Sequence, residues 1–522
     1  MIKEKIQNGQ TFLGIEFGST RIKACLIDDS FTPIAGGSFD WENKFENGFW
    51  TYDINLIHKG LTESFCALKK DVFEKYGVNL TKVEAMGISG MMHGYLPFDK
   101  NGNLLTPFRT WRNTTNEKAA SELSKLFGFN VPQRWSIAHL YQAILNGEEH
   151  VRDIAYITTL AGYIHYLLTG RLEVGIGEAS GISPVSGNDY DKEMLRKFDN
   201  LISGKYTWSI CDILPKVRSA GESCGFLTEE GALLLDPSGE FKAGVKLCPP
   251  EGDAGTGMVA TNAVTPRTGN VSAGTSIFAM IVLENKLRSY YSEVDVVTTP
   301  DGSPVAMIHC NNCAAEIDSW VNIFGEFSVI AGLELTKSDL YSMLYNHSLK
   351  ADADCGSVVA YNYLSGEHVT GIENGKPMYF RSHSSNMNLA NFMRAQLYST
   401  MATLKTGMDI LTCNECININ NIQAHGGLFK VEGIAQQILA NALNTPVTVM
   451  QTAGEGGAWG MALLAAFSAI GSSSLPDWLE SKVFSAMKTS TLSPDAEGVE
   501  GFRKYTELYK QALCAQKALE RL

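Results

Sequence analysis

Short apolar runs and longer amphipathic stretches follow one another along the chain. Apolar runs over Phe12–Phe17 and 22–27 flank a turn and predict two paired strands, and 83–90 predicts a third strand that ends in glycine. Helical spacing of apolar residues predicts helices over about 55–75 and 153–168. Strands mixed with helices of this length are typical of an α/β fold.

The opening segment is repeated in outline in the middle of the chain. "LGIEFGSTRIKACLID" (13–28) and "TGNVSAGTSIFAMIVLE" (268–284) each give a strand, a turn of small residues and a second strand. Two such segments predict a duplicated architecture, with a first domain over 1–262 and a second over 263–522. The proline- and glycine-rich stretch before the second copy is the predicted hinge.

Glycine loops also mark the last part of the chain. Residues 422–450 predict a strand, a glycine loop, an amphipathic helix and a strand. Residues 452–471 predict a second glycine loop that opens a buried, alanine-rich helix. The final stretch, 502–522, predicts one charged amphipathic helix packed back on the body.

The composition limits the class of protein. A chain of 522 residues is too long for one compact core, which again predicts two domains or more. Its formal charge of -13 argues against nucleic acid or an anionic membrane as a partner. No apolar run reaches the length of about 18 residues that crosses a bilayer, and the N-terminus has no apolar stretch of signal-peptide type. These features predict a cytoplasmic protein.

Two cysteine spacings superficially resemble zinc half-sites. "CNNC" places Cys310 near Cys313, and "CNEC" places Cys413 near Cys416. The gap between the two pairs is far larger than in compact zinc modules. We therefore expect reduced cysteines that serve mainly as buried packing residues.

Both repeated turns consist of small residues that let backbone amides approach a phosphate closely. They are Gly18, Ser19 and Thr20 in the first copy and Gly274, Thr275 and Ser276 in the second. Either turn alone is equally an ordinary hairpin turn. Asp253 lies in a glycine-rich run after a strand-like segment, where a carboxylate reaches a cleft or forms an Asx turn. Phosphoryl transfer needs positioned phosphates, a metal and an aligned hydroxyl, which this set of residues is suited to supply.

Taken together, these segments resemble the FGGY carbohydrate kinases of the sugar kinase/actin/Hsp70 ATPase superfamily. The motifs that carry the resemblance, in chain order, are "GIEFGST", "GISGMMHGYLPFDKNGNLLTPFRTWRN", "EGDAGTGMVA", "SAGTSIF", "YLSGEH" and "AHGGLFK". They span most of the chain and are closest to those of the xylulokinases. The resemblance implies two actin-like (ribonuclease H-like) α/β domains around a central cleft, with sugar mainly on the first and MgATP mainly on the second.

The resemblance also implies roles for individual residues. Asp253 becomes the general base that takes the proton from the attacking sugar hydroxyl. Sugar contacts are implied for Met92, His93, Trp111 and Asp253, although a structural histidine and a core tryptophan are the alternatives. Binding of ATP is implied for Gly18, Ser19, Thr20, Lys23, Gly274, Thr275, Ser276, Gly426, Gly427 and Lys430, with support from Gly454, Gly456 and Gly457. Binding of Mg²⁺ is implied for Glu16 and Asp253.

The chain departs from the family pattern at three places. Glu16 stands where the family usually has aspartate, which lengthens the carboxylate by one methylene. Ala254 follows the catalytic aspartate where kinases of this family carry an amide that binds a substrate hydroxyl. "WRN" replaces "WND", so Arg112 and Asn113 change the charge near the sugar. These departures lie mainly on the sugar side, so the resemblance defines the reaction more closely than the substrate.

The predicted function is ATP-dependent phosphorylation of a sugar hydroxyl, with a ketopentose such as D-xylulose as the leading acceptor. Another ketose or a polyol (ribulose, fuculose or a glycerol-like acceptor) is the nearest alternative. A sensor of the same fold that binds sugar and nucleotide without catalysis is the second alternative. An Hsp70-like ATPase would need a peptide-binding domain, for which no unassigned segment is long enough. The expected partners are the sugar and ATP, and a homodimer is left open.

Overall fold

The computed structural model describes residues 2–450 and 456–521, which form two compact units. Unit 1 comprises 2–264, 295–305 and 456–486 of the described residues, and unit 2 comprises the remainder. The sequence predicted continuous domains over 1–262 and 263–522. The chain first passes from unit 1 to unit 2 after Val264, close to the predicted boundary. The two later segments of unit 1, 295–305 and 456–486, were not part of that prediction.

Strands of the described chain are numbered from the N-terminus. They are β1 (Phe12–Phe17), β2 (Arg21–Ile27), β3 (Pro33–Asp40), β4 (Lys44–Glu46), β5 (Phe49–Thr51), β6 (Ala85–Gly90), β7 (Leu96–Phe98), β8 (Tyr156–Thr158), β9 (Glu173–Gly175), β10 (Val185–Ser186), β11 (Asp189–Tyr190), β12 (Lys216–Arg218), β13 (Lys246–Leu247), β14 (Glu251–Gly252), β15 (Thr268–Ala273), β16 (Ile277–Val282), β17 (Asp295–Thr298), β18 (Pro304–Cys310), β19 (Val358–Tyr361), β20 (Met378–Arg381), β21 (Asn421–His425), β22 (Val447–Met450) and β23 (Thr489–Leu492).

The α-helices are numbered in the same way. They are α1 (Ile2–Asn8), α2 (Ile54–Tyr76), α3 (Glu117–Phe127), α4 (Ser136–Leu145), α5 (Leu160–Thr169), α6 (Ile176–Ala179), α7 (Lys192–Leu201), α8 (Ile210–Ile213), α9 (Glu229–Leu235), α10 (Asp253–Ala260), α11 (Ala315–Ile330), α12 (Lys337–Ser348), α13 (Leu389–Asp409), α14 (Ile434–Leu443), α15 (Gly456–Ile470), α16 (Leu475–Trp478) and α17 (Ala496–Leu519).

The main sheet of unit 1 has the strand order β13-β6-β1-β2-β3, and β14 also pairs with β6. β1 runs antiparallel to β2 and parallel to β6, which follows the long helix α2. The apolar run of β1 is buried on both faces because helices cover the sheet, and the core includes Leu13, Ile15, Leu61 and Phe65. Strands packed with helices in one layered unit are the α/β arrangement that the pattern of the sequence predicted.

The main sheet of unit 2 repeats this arrangement. Its strands run in the order β18-β16-β15-β21-β22-β23. β15 is antiparallel to β16 and parallel to β21, as β1 is to β2 and β6. The repeat predicted from the two turns of small residues is therefore present in the backbone of both units. The predicted α/β class with two domains of this type is confirmed.

One predicted helix was wrong in its first half. The structure has strand β8 in the early part of the predicted helix over 153–168, and helix α5 begins only after Thr159. Thr159 is the N-cap, and its side chain accepts a hydrogen bond from the N–H of Gly162. A threonine that accepts this bond fixes the start of the helix. The apolar residues before Thr159 are therefore buried as part of strand β8 and not of the helix.

The C-terminal helix and the cysteines meet the predictions in part. α17 packs on unit 2 through Tyr505 and Tyr509, which are fully buried. All cysteines of the described chain are free, and both residues of the "CNNC" pair are buried, but both of the "CNEC" pair are exposed. Packing therefore explains the first pair alone.

None of the described helices is by itself long and apolar enough to cross a membrane. Taken together, α15 and the helical segment 475–484 pass this test by length and composition only, and the two are bent by 104° at the break between them.

Candidate active site

The carboxyl ends of three adjacent strands in unit 1 bring the predicted residues together. β1 and β6 are parallel with Phe17 opposite Gly90, and β14 is parallel to β6 with Gly252 opposite the same glycine. Glu16, Met92 and Asp253 therefore come from three neighbouring strand ends. In α/β proteins this edge of the sheet is where ligands bind.

Asp253 is the first residue of α10. Its Oδ1 accepts hydrogen bonds from the N–H of Met92 at 3.3 Å and from its neighbour Ala254 at 2.9 Å. Burial raises the pKa of the Asp253 carboxyl, while these amides oppose the shift. A carboxylate that is oriented by two amides and has a raised pKa is suited to accept a proton from a substrate hydroxyl.

Glu16 lies near the end of β1, with its carboxylate against Gly457 in the first turn of α15, where the amides of Gly457 and Ala458 influence its pKa. Burial raises the pKa of Glu16, the charge of Asp253 raises it further, and the Lys23 ammonium and the two amides oppose the shift. Lys23 stands opposite Glu16 in the β1–β2 pair. The family's Mg²⁺ fits this pair of acids, because carboxylate oxygens are the ligands that Mg²⁺ prefers and a cation would relieve the repulsion between them.

The first predicted phosphate loop, residues 18–20, is held by two aromatic residues that the sequence analysis did not single out. The indole N–H of Trp41 donates to the carbonyl of Gly18 at 2.7 Å, and the hydroxyl of Tyr52 donates to the carbonyl of Ser19 at 2.6 Å. The two rings stack with centroids 4.1 Å apart. Because its carbonyls are held from one side, the loop that ends at Thr20 has a fixed shape. The signal was a run of aromatic residues in a polar segment.

Met92 and His93 follow the end of β6 as predicted. His93 has a positive φ of 70°, and its Nδ1 lies 3.2 Å from the carbonyl of Gly181. The ring stacks on Trp135, with centroids 6.3 Å apart. Burial lowers the pKa of His93 well below its usual value, and the nearby Arg134 adds to the shift. His93 is therefore a neutral imidazole fixed by its surroundings.

Trp111 lies on the loop after β7 and is 40% exposed. The neighbouring Arg112 stacks on Trp50 at 3.9 Å. The sugar contact implied for Trp111 stays a prediction.

Two buried acids beside Asp253 were missed by the sequence analysis. Glu251 immediately precedes Gly252, and burial raises its pKa to about 8. Its Oε2 accepts the N–H of Glu178 at 2.9 Å. Glu178 is itself fully buried, which raises the pKa of its carboxyl well above the usual value. Each acid has glycine neighbours in the sequence, which leave room for a buried carboxyl, but this signal is weak.

Unit 2 brings the second phosphate loop beside the glycine loop after β21. The N–H of Gly274 donates to the carbonyl of Ser276 at 2.9 Å, and Thr275 accepts from the N–H of Cys313 at 2.9 Å. Gly426 has a φ of 111° and lies against the backbone of Ala273, where a Cβ would overlap the carbonyl. The two loops are adjacent because β15 and β21 are parallel neighbours.

The remaining predicted nucleotide residues of unit 2 lie on the same loop. Gly427 and Lys430 are exposed there. Gly456 begins α15 in unit 1, where its backbone faces Lys23 and Glu16. Gly454 lies outside the described residues.

Comparison with known proteins identifies the family. The N-terminal domain of the FGGY family of carbohydrate kinases matches residues 11–236, and the C-terminal domain matches residues 269–469. The chain therefore belongs to the FGGY family of carbohydrate kinases. It is a sugar kinase of a family that uses ATP as phosphate donor.

Relatives and solved structures share the fold at low identity. A xylulose kinase of Haemophilus influenzae is 22% identical over 460 residues, which cover 84% of this chain and 87% of that protein. The ligand-bound xylulose kinase of Lactobacillus acidophilus has a TM-score of 0.78 at 17% identity and covers 98% of this chain and 99% of its own. Gluconate kinase of the same organism has a TM-score of 0.77 at 17% identity, with 98% of both chains covered. Kinases of this one fold are thus named for different sugar acceptors. At these identities the similarity shows the fold of this chain and not its acceptor.

Proposed function

We propose that this kinase phosphorylates a ketopentose, with D-xylulose as the leading acceptor, and that Asp253 is its general base. The observation that carries the proposal is the position of the Asp253 carboxylate. It is held by the amide of Met92 at the carboxyl ends of parallel strands, beside Glu16. A sugar hydroxyl bound at Met92 would therefore lie next to a buried acceptor for its proton.

The mechanism assigns a separate task to each group. Asp253 accepts the proton of the attacking hydroxyl, and the amides of Met92 and Ala254 keep its free oxygen directed at the substrate. The loops at Gly18 and Gly274 bind phosphate oxygens through backbone amides. Lys23 supplies a positive charge beside Glu16. Phosphoryl transfer needs this positioning more than covalent chemistry.

Glu16 and Asp253 are the residues that would hold Mg²⁺. When bound, the ion would neutralise charge on the phosphates and on the two acids. The carboxylate of Glu16 lies against Gly457 in the first turn of α15. The glutamate thus remains available to a cation although it is one methylene longer than the aspartate of the family.

The choice of acceptor rests on two supports. The segment "MMHG" resembles the sugar segment of xylulokinases, and the relatives at 21–22% identity are named xylulose kinases. Another ketose or a polyol remains the alternative, since the same fold is found in a gluconate kinase.

The test is ADP release with MgATP and a panel of ketoses, aldoses and polyols, comparing the wild type with Asp253→Asn. We expect turnover with D-xylulose, a fall of at least 100-fold in kcat for the variant because general base catalysis contributes about 10²–10⁴-fold, and loss of turnover in EDTA that Mg²⁺ restores. Sugar-stimulated turnover that persists in Asp253→Asn would contradict the catalytic assignment. Turnover only with another sugar would correct the acceptor, and ATP binding without any turnover would favour the sensor.

A further inference from the structure

Glu178 carries two carboxylate oxygens that have no hydrogen-bond partner among the described residues, although its side chain is fully buried. The hydroxyl of Thr159 influences its pKa from nearby, without the geometry of a hydrogen bond. Leaving a buried polar atom without a partner is unfavourable, and more so when the atom is charged. Such a group in a native protein needs an explanation, and a bound ligand supplies one.

The carboxylate of Glu178 lies beside Met92 at the proposed sugar site. A Cβ placed on Gly252 would be 2.6 Å from Oε2 of Glu178 and 2.9 Å from Sδ of Met92. The far end of the Met92 side chain approaches Gly181, whose carbonyl faces His93. Met92 is thus flanked by an acid on one side and a neutral histidine on the other.

Glu251 fixes the position of Glu178. Its Oε2 accepts the N–H of Glu178 at 2.9 Å. Its carboxylate fills space that a side chain at Gly175 or Gly177 would occupy. The short helix α6 is therefore tied to the strand that leads directly into Asp253. Preorganisation of this kind is what a specific binding group requires.

We propose that Glu178 is a specificity-determining residue of the acceptor site, whose carboxyl group forms a hydrogen bond with a sugar hydroxyl other than the one phosphorylated. The inference rests on the proposed function of the site. Ala254, the neighbour of Asp253, has no polar side chain that could bind a sugar hydroxyl. Glu178, on the far side of Met92, is an acidic group that can take this role. The Met92 side chain is unbranched and would have to move aside for a sugar to reach Glu178.

A hydroxyl is favoured over a metal ion by the surroundings of Glu178. Within the described ranges, Glu178 belongs to no group of three close histidine, cysteine or acidic side chains. Its oxygens need donors, and a polyhydroxy sugar supplies them. A site built to bind one hydroxyl rejects the analogue that lacks it, because the buried acceptor is then left unpaired.

The experiment compares the best acceptor with a set of its deoxy analogues, each lacking one hydroxyl. For wild type, Glu178→Gln and Glu178→Leu, kcat/KM is measured for each sugar, and Kd is measured in parallel by calorimetry. We expect wild type to discriminate at least tenfold against one analogue. In Glu178→Leu this ratio falls towards one, chiefly through KM, while the ratios for the other analogues remain. In Glu178→Gln, which keeps the shape of the side chain, the ratio falls part of the way towards one. This variant provides the test if Glu178→Leu does not fold.

Glu173→Gln is the matched control. It also neutralises a buried acid of unit 1, but one held by Arg218 through a hydrogen bond of 2.7 Å. It is expected to lower stability without changing any discrimination ratio. Ratios that stay at the wild-type values in both Glu178 variants would overturn the inference and leave the kinase intact. Sugar binding without turnover would instead remove the proposed function, and the Kd ratios would still decide the role of Glu178. A wild type that binds no sugar would overturn both.

Discussion

At the scale of single residues, Glu16 shows how a helix start affects a neighbouring acid. Its carboxylate lies against Gly457 in the first turn of α15, where a Cβ on that glycine would be 2.3 Å from Oε1. The N-terminus of a helix stabilises negative charge, which offsets part of the cost of holding the carboxylate beside Asp253. The residue that departs from the family pattern therefore keeps its acidic group in surroundings that favour its charge.

The burial of His165 predicts how the stability of unit 1 changes at acidic pH. Its Nε2 lies 2.9 Å from the carbonyl of Cys224, its Nδ1 has no partner in the described structure, and burial lowers its pKa to about 4. Unfolded histidine titrates near 6.5, so the contribution of neutral His165 to stability is complete above that pH. It is lost as the pH falls from 6.5 to the folded pKa of about 4, because over this range the unfolded state binds a proton that the folded state does not.

We therefore expect the free energy of unfolding to fall less between pH 6.5 and 4 in His165→Gln than in wild type, by about 3 kcal/mol. Chemical denaturation at several pH values measures this difference. His383→Gln, at an exposed position of unit 2, is the control and should follow wild type. Parallel pH curves for wild type and His165→Gln would show that His165 does not set the acid response.

The sequence could predict those site residues that lie in loops with a recognisable pattern. Asp253 and Met92 stand next to glycines after a strand, and the structure brings both to the strand ends as expected. Glu178 and Glu251 could not be predicted, because their meeting depends on how α6 packs against β14. The sugar contact implied for Trp111 rests on its sequence neighbours alone and stays a prediction.

At the scale of elements, the close contact between β1 and α15 depends on glycines, which have no side chain. A Cβ on Gly14 would overlap the backbone of Ala458 and Ala462 in α15. On the other side of the helix, a Cβ on Gly460 would overlap the backbone carbonyl of Thr256 in α10. Strand and helix thus pack backbone to backbone. This close approach also brings the first turn of α15 to Glu16.

Gly14→Ala is expected to destabilise unit 1 by about 1–3 kcal/mol, since the added methyl meets backbone that cannot move aside easily. Thermal unfolding followed by circular dichroism checks this. Gly257→Ala is the control on α10, because nothing lies within 4 Å of its Cβ position. Alanine there should be neutral or stabilising by up to about 1 kcal/mol. Equal melting temperatures for Gly14→Ala and wild type would show that the sheet and helix can separate at no cost.

Helix starts were predictable only where a cap was clear. The apolar spacing over 153–168 fits a helix throughout, yet β8 occupies 156–158. Short apolar runs fit a strand and a helix equally, so the choice is made by partners. Here β8 pairs with β7, which lies about sixty residues earlier in the chain and was not part of the prediction.

At the scale of the whole molecule, unit 1 is built from three separate stretches of chain. The last stretch, 456–486, supplies α15, which packs on β1, β2 and β6. The duplication of the sequence predicted two continuous domains, since nothing in the pattern shows that an apolar helix packs with the first half of the chain. α15 looks like any buried helix until its partners are known.

A fragment of residues 1–264 is therefore expected to lack a stable fold, because the faces of β1 and α10 that α15 covers would be exposed to water. Circular dichroism and hydrogen exchange of the purified fragment test this. A fragment in which residues 456–486 are joined to 1–264 by a flexible linker should recover cooperative unfolding. Cooperative unfolding of 1–264 alone would contradict the prediction.

The three-part construction of unit 1 has a consequence for synthesis on the ribosome. Nascent domains usually fold in order from the N-terminus, with chain growth of about 5–20 residues per second. Here the sheet that carries Glu16 and Asp253 waits for α15, which leaves the ribosome roughly 10–45 s after residue 264 at those rates. During that interval the face of β1 that α15 covers stays exposed to chaperones, so the first half of this kinase is among the last parts of the chain to mature.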